Sequence, residues 1–217
     1  MRQADSVTDG MGGEFDRVRS VLDERGIRGA GDFGYFVNRP DLFRPSEFDE
    51  RTAMPVLLEL LPTLTDGKVV AAVARHLRRP WARPAAFTPV VEAFKVWAGR
   101  PETDAGWALG DAAASAARPA DSQTLLTLAT NPEYGTARQM IVHSLWRYRK
   151  DGTVLEALPL LARDPDVSLH AMSALRRAVG PDAAIPLLRD LAGTHPSQRV
   201  RDQAARELRK AERAVSG

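Results

Sequence analysis

Val167-Ser168-Leu169-His170-Ala171-Met172-Ser173-Ala174-Leu175-Arg176-Arg177 decides how this chain is read, because its frame recurs. Val69-Val70-Ala71-Ala72-Val73-Ala74-Arg75-His76-Leu77-Arg78-Arg79 and Val200-Arg201-Asp202-Gln203-Ala204-Ala205-Arg206-Glu207-Leu208-Arg209-Lys210 share it. Each has an apolar start, a small or apolar pair at the fifth and sixth places, Leu at the ninth and two bases after it. Ala137 to Arg147 fits the same frame, and Asp104 to Ala114 fits it loosely. The starts fall at 69, 104, 137, 167 and 200, with spacings of 35, 33, 30 and 33. A period near 33 is that of arrays of helical pairs.

A partner helix precedes each of these stretches. Met54-Pro55-Val56-Leu57-Leu58, Thr88-Pro89-Val90-Val91 and Ile185-Pro186-Leu187-Leu188 each place a proline before a dense apolar run. Proline is tolerated in a first helical turn, where its missing N–H would be unpaired anyway. Thr88 suits an N-cap. Leu125 to Ala129 and Val154 to Ala162 supply the other two first helices, the latter with Pro159 inside it. Turns such as Thr65-Asp66-Gly67, Asn131-Pro132-Glu133 and Asp164-Pro165-Asp166 join the pairs.

Outside the array, residues 1–13 are polar and Gly-rich and read as a disordered lead-in. Glu14 to Arg25 reads as a helix with Phe15, Val18, Val21 and Leu22 on one side and Gly26 as its stop. From Gly29 to Pro45, Gly29, Gly31, Gly34, Pro40 and Pro45 alternate with Phe33, Tyr35, Phe36 and Phe43. Four aromatics so close together are costly in water, so residues 14–50 are expected to cap a repeat domain at 51–217. That domain divides into pairs at 51–80, 85–118, 121–150, 153–180 and 183–213.

Composition narrows the chemistry. The 217 residues are 44% hydrophobic and 27% charged, with aromatics at 6%, a bias toward closely packed helices. With no cysteine, disulfides, thiol nucleophiles and cysteine-ligated metals are excluded. No apolar run approaches the roughly 18 residues that span a bilayer. The first residues lack the stretch of a secretory signal, so a cytoplasmic protein without membrane contact is expected. The net charge of +2 conceals a balance of −5 over residues 1–66 and +7 over residues 67–217.

The proline-bearing first helix, the Asp-containing turn and the second helix opening on Val-Arg or a variant resemble HEAT repeats. They look most like the bacterial HEAT-like arrays that include phycobilisome-lyase-type repeats. Tyr134-Gly135-Thr136-Ala137-Arg138-Gln139-Met140 and Val200-Arg201 are the most typical pieces, and the resemblance covers roughly residues 50–213. It implies an all-α, right-handed α-solenoid of about five helical pairs, whose second helices line a concave face. Activity is another matter, since such arrays serve scaffolds, lyases, hydroxylases and glycosylases alike.

On that face, the seventh, tenth and eleventh frame positions carry Arg75, Arg78, Arg79, Arg147, Arg176, Arg177, Arg206, Arg209 and Lys210. Such a ladder could track phosphates or an acidic peptide. Ordinary helix-end cations, favoured by the dipole, would give the same pattern. The second repeat breaks the ladder with Trp107-Ala108-Leu109-Gly110-Asp111, placing an indole and a carboxylate on one helical face. HEAT-like alkylpurine DNA glycosylases use a groove Trp and Asp at similar spacing.

The four histidines belong to four different repeats, and no His-Glu dipeptide or HExxH spacing exists, so no metal site or cofactor is expected. Nucleotide-binding loops and nucleophile elbows are also missing. The reading that follows is a non-enzymatic binding or adaptor scaffold for a protein or peptide. Nucleic-acid binding is the alternative, with glycosylase-like chemistry as a minor branch of it. The candidate contact residues are Trp107, Asp111, Arg138, His143, Trp146, Arg147, His170, Arg177 and Arg206.

Overall fold

The structure, a computed structural model, describes residues 9–34, 47–100 and 104–216. Among the described residues it holds eleven α-helices and no strand, so the chain is all-α. It divides into two compact units, Met1–Ala116 and Ala117–Gly217.

The first unit contains α1 (Asp9–Glu24), α2 (Glu50–Leu60), α3 (Gly67–Leu77), α4 (Phe87–Trp97) and α5 (Ala105–Ala116). Helix α1 starts at Asp9 rather than Glu14, taking in a Gly-rich stretch whose composition argued for disorder. Its apolar side is fixed by burial of Phe15, Val18 and Leu22, and a helix anchored there extends at one hydrogen bond per added residue. The Glu14 carboxylate accepts hydrogen bonds from the Thr65 and Asp66 backbone N–H groups, tying α1 to the turn between α2 and α3. Of the aromatics in the capping segment, Phe33 is fully buried among Phe15, Phe48 and His76, with ring centroids 5.4–5.9 Å away. Tyr35, Phe36, Pro40, Phe43 and Pro45 lie outside the described residues.

Helices α2 and α3 begin where carboxylates cap them. Asp49 accepts from the Thr52 N–H at 3.1 Å and Asp66 from the Lys68 N–H at 2.7 Å. Helix α4 differs from the sequence expectation, for it starts at Phe87 and Thr88 lies inside its first turn instead of capping it. Helix α5 packs against both α3 and α4. Ala105, Gly106, Ala108, Leu109 and Gly110 through Ala114 are all buried, leaving Trp107 as the large exposed side chain. That accounts for the odd second stretch: a helix enclosed on nearly every side carries no charged face, and its small residues let α3 and α4 pack closely against it.

The second unit contains α6 (Ser122–Thr130), α7 (Gln139–Ser144, continued by a 3₁₀ turn over Leu145–Tyr148), α8 (Gly152–Leu161), α9 (Ser168–Val179), α10 (Pro181–Thr194) and α11 (Gln198–Ser216). Helix α9 packs against both α7 and α11. Among the first helices, α6 touches α7 and α8, α8 touches α9, and α10 packs along α11. Asp151 caps α8 by accepting from the Thr153 N–H at 3.1 Å.

Two of the prolines deviate from the first-turn expectation. Pro89 does sit in the first turn of α4 and Pro159 is interior to α8 as expected, but Pro55 and Pro186 are interior to α2 and α10. Pro55 and Pro186 are exposed, where the carbonyls that lose a helical partner can bond to water.

Candidate functional site

Five of the nine bases of the ladder are paired with acids of the same chain. Arg78, at the tenth frame position, donates to Asp111 at 2.6 Å, which is the eighth position of the following repeat. Arg176 and Glu207 form the same tenth-to-eighth pair in the second unit at 3.2 Å. Lys210 also reaches Glu207, at 2.6 Å, and this carboxylate is only 3% exposed. Arg79 makes a two-bond fork onto Glu50 at 2.6 and 2.8 Å, and Arg75 approaches Asp104 at 3.8 Å. Arg75–Asp104, Arg78–Asp111 and Arg176–Glu207 each link one stretch of the recurring frame to the next, whereas Arg79–Glu50 ties the end of α3 back to the start of α2.

The sequence-predicted contact residues fall into separate groups. In the first unit Trp107 is 37% exposed, while Asp111 is buried at 8% and held by Arg78. A carboxylate committed to a guanidinium is poorly placed to stabilise a cationic substrate. Arg138, expected on the concave face, is instead 1% exposed and therefore withdrawn from any partner. Its guanidinium donates to the Ala129 and Gly135 carbonyls, both at 3.0 Å, and to Asp164 at 2.6 Å.

The contact between α9 and the α7 region brings two pairs of the others together, Trp146 with Arg177 and His143 with His170. The Arg177 guanidinium lies 3.7 Å from the centroid of the Trp146 ring, a close cation–π stack. Exposed Arg147 has its guanidinium 5.8 Å from the Tyr148 ring centroid. His143 and His170 meet edge to face at 6.1 Å. Arg206 is exposed and turned onto the Gln203 side-chain carbonyl at 2.7 Å.

Desolvation by burial, reinforced by the His143 and Arg199 charges, lowers the His170 pKa to about 4. Its Nδ1 is buried without a hydrogen-bond partner. His170 is therefore neutral above about pH 5. An NMR titration of its ring protons should show a midpoint near 4; a midpoint near the ordinary 6.5 would mean the ring is solvated.

His195 is a structural histidine. Its Nδ1 accepts from the Ser197 N–H at 3.1 Å, so Nε2 carries the proton and donates to the Arg163 carbonyl at 2.9 Å.

A concavity that the sequence reading missed lies in the first unit. It has a volume of about 410 Å³ and is lined by Arg28, Asp49, Glu50, Arg51 and Arg79 with the rings of Phe48, His76 and Trp81. Glu50 accepts from His76 Nδ1 at 3.0 Å as well as from Arg79. Burial alone would raise the Glu50 pKa, but the hydrogen bonds from His76 and Arg79 and the Arg79 charge outweigh it and lower the value to about 2. The ionised carboxylate thus holds the proton of His76 on Nδ1. The one sequence signal was the pair His76-x-x-Arg79 on the last turn of α3 and just beyond, with Glu50 26 residues before His76.

This network makes stability acid-sensitive with a definite sign. The ordinary Glu pKa of 4.5 applies to the unfolded chain, and about 2 applies to the folded one. Stability from Glu50 is complete above pH 4.5 and lost as pH falls from 4.5 toward 2. Discounted for the solvent at the mouth, it amounts to about 1–2 kcal/mol. Urea unfolding should show Glu50→Gln weaker than wild type at pH 7, with the gap narrowing at pH 3. An undiminished gap would contradict the linkage.

Among the described residues no group of three or more His, Asp or Glu side chains could hold a metal ion. None of the described helices is long and apolar enough to cross a membrane. Compared with known protein families, curated proteins and solved structures, the chain matches none of them.

Proposed function

We propose that the chain is a HEAT-like α-solenoid acting as a non-enzymatic binding or adaptor module, with a polypeptide as its partner. The observation that carries this reading is the fate of the ladder. Arg75, Arg78, Arg79, Arg176 and Lys210 are matched to acids of the same chain. A phosphate-tracking strip needs cations free to displace counterions, and these are not. What the second helices leave accessible is the Trp146–Arg177 stack, Arg147, Arg206 and Arg209, half-buried histidines and, in the first unit, Trp107. Trp and Arg are side chains that dominate protein–protein contacts.

Two measurements test it together. A labelled 20-base-pair DNA at 0.15 M salt should bind no tighter than about 10⁻⁴ M. A polypeptide captured by the immobilised chain should be released by Trp146→Ala and by Arg177→Ala. Tight DNA binding that weakens steeply with salt would replace the proposal by the nucleic-acid reading. Capture that ignores both substitutions would remove the Trp146–Arg177 stack from it.

A further inference from the structure

The concavity of the first unit is charged in an unbalanced way. Its two carboxylates are already satisfied from within. Asp49 accepts from the Thr52 N–H at 3.1 Å and the Thr52 hydroxyl at 2.9 Å, one bond to each oxygen. Those bonds, the backbone one first, lower its pKa. Glu50 uses both oxygens on Arg79 and one of them also on His76. Three guanidinium groups face these two acids, and only Arg79 is bonded to one of them.

Arg28 and Arg51 remain. Both are exposed, and Arg51 lies with its guanidinium 5.5 Å from the Trp81 ring centroid. Arg28 acts on Asp49 only through its field. The unmatched charges of the concavity are therefore both cationic, and each can still present a planar fork of N–H donors to an oxyanion. Its volume of about 410 Å³ is far larger than a bare phosphate needs and lies within the range of small-molecule sites. Phe48 and Trp81 add aromatic wall to it.

We propose that this concavity binds a small organic anion, its phosphate or carboxylate group held by Arg28 and Arg51 and its apolar ring or chain laid against Trp81. The Glu50–His76–Arg79 network forms the rigid side of the site. It also supplies specificity, because an ionised Glu50 repels an anion placed too deep and confines it to the Arg28–Arg51 side. The site lies wholly within the first unit and does not depend on the polypeptide-binding reading.

The experiment is a calorimetric and NMR titration of the full chain with four probes. These are phenyl phosphate, benzoate, inorganic phosphate and the neutral benzyl alcohol. Phenyl phosphate or benzoate should bind with a dissociation constant below about 1 mM, and the stronger of the two identifies the anionic group. Inorganic phosphate should bind more weakly and benzyl alcohol not at all. The Trp81 indole N–H should shift on binding.

Arg28→Gln and Arg51→Gln should each weaken binding at least tenfold, and Trp81→Ala should weaken the aromatic anions but not inorganic phosphate. Arg51→Lys should keep inorganic phosphate binding, which separates loss of the fork from loss of charge. Both arginines are exposed, so the variants should keep the wild-type urea midpoint. The proposal is overturned if neither aromatic anion binds with a dissociation constant below about 1 mM. It is equally overturned if the Arg28→Gln/Arg51→Gln double variant binds like wild type, or if the shifts map to residues 117–217.

Discussion

Arg138→Ala is expected to destabilise the protein by about 3 kcal/mol, lowering the unfolding temperature by roughly 6–12 °C. The side chain is 1% exposed and its guanidinium makes three directed bonds, to the carbonyls of Ala129 and Gly135 and to Asp164. Truncation leaves the Ala129 carbonyl in a buried setting without its donor, at a cost of about 1–3 kcal/mol, and opens the space filled by the stem. Asp164 adds less, because its side chain is 26% exposed and can rehydrate.

Two companion variants separate these contributions. Asp164→Asn should lose about 1 kcal/mol, the amount of one part-exposed charged hydrogen bond. Arg138→Lys keeps the charge but cannot reach three acceptors that diverge from a planar fork, and should fall between the two. Urea unfolding checks all three. A loss below about 1 kcal/mol for Arg138→Ala would mean that water replaces the guanidinium, against the burial described.

The helical class was legible because it is written locally. Ala137, Ile141 and Leu145 recur at helical spacing, and the same columns are apolar or small in most of the repeats. Partner choice is not written locally. Arg78 and Asp111, Arg176 and Glu207, and Arg138 and Asp164 lie 33, 31 and 26 residues apart. Arginines at helix ends look alike whether they face solvent, a phosphate or an acid of the next repeat. The alanines around Trp107 were open to the same ambiguity. They mark a break in the basic pattern and also the surface of a helix enclosed by its neighbours, and packing decides for the latter. The concavity was hidden for a further reason: Arg28, residues 48–51 and residues 76–81 meet only after the chain leaving α1 has folded back onto α2 and α3.

That return depends on one glycine, and Gly29→Ala is expected to cost about 2–4 kcal/mol. Gly29 has φ 70° and ψ 23°, the left-handed region that an L side chain enters at roughly 1–2 kcal/mol. Strain is the smaller part. A Cβ on Gly29 would lie closer than 3.0 Å to the Glu47 carbonyl carbon and oxygen and the Phe48 nitrogen. These are backbone atoms, pinned by the Glu47 N–H donating to Asp32 at 2.8 Å and the Asp49 N–H donating to the Arg28 carbonyl at 3.0 Å. They cannot retreat without breaking those bonds or unseating Phe48, which is 7% exposed against Phe33.

Gly26 supplies the control. It has φ 71°, a left-handed value close to that of Gly29, yet an added Cβ there meets nothing within 4 Å. Gly26→Ala should therefore show the conformational part alone, about 1 kcal/mol. The difference between the two variants measures the close approach. Because Gly29 adjoins Arg28 and presses on the segment entering α2, its variant should also lose the anion binding proposed for the concavity, while Gly26→Ala keeps it. Equal urea midpoints for the two alanine variants would show that the 47–49 segment yields freely. The Arg28 side of the concavity would then be set by something other than this contact.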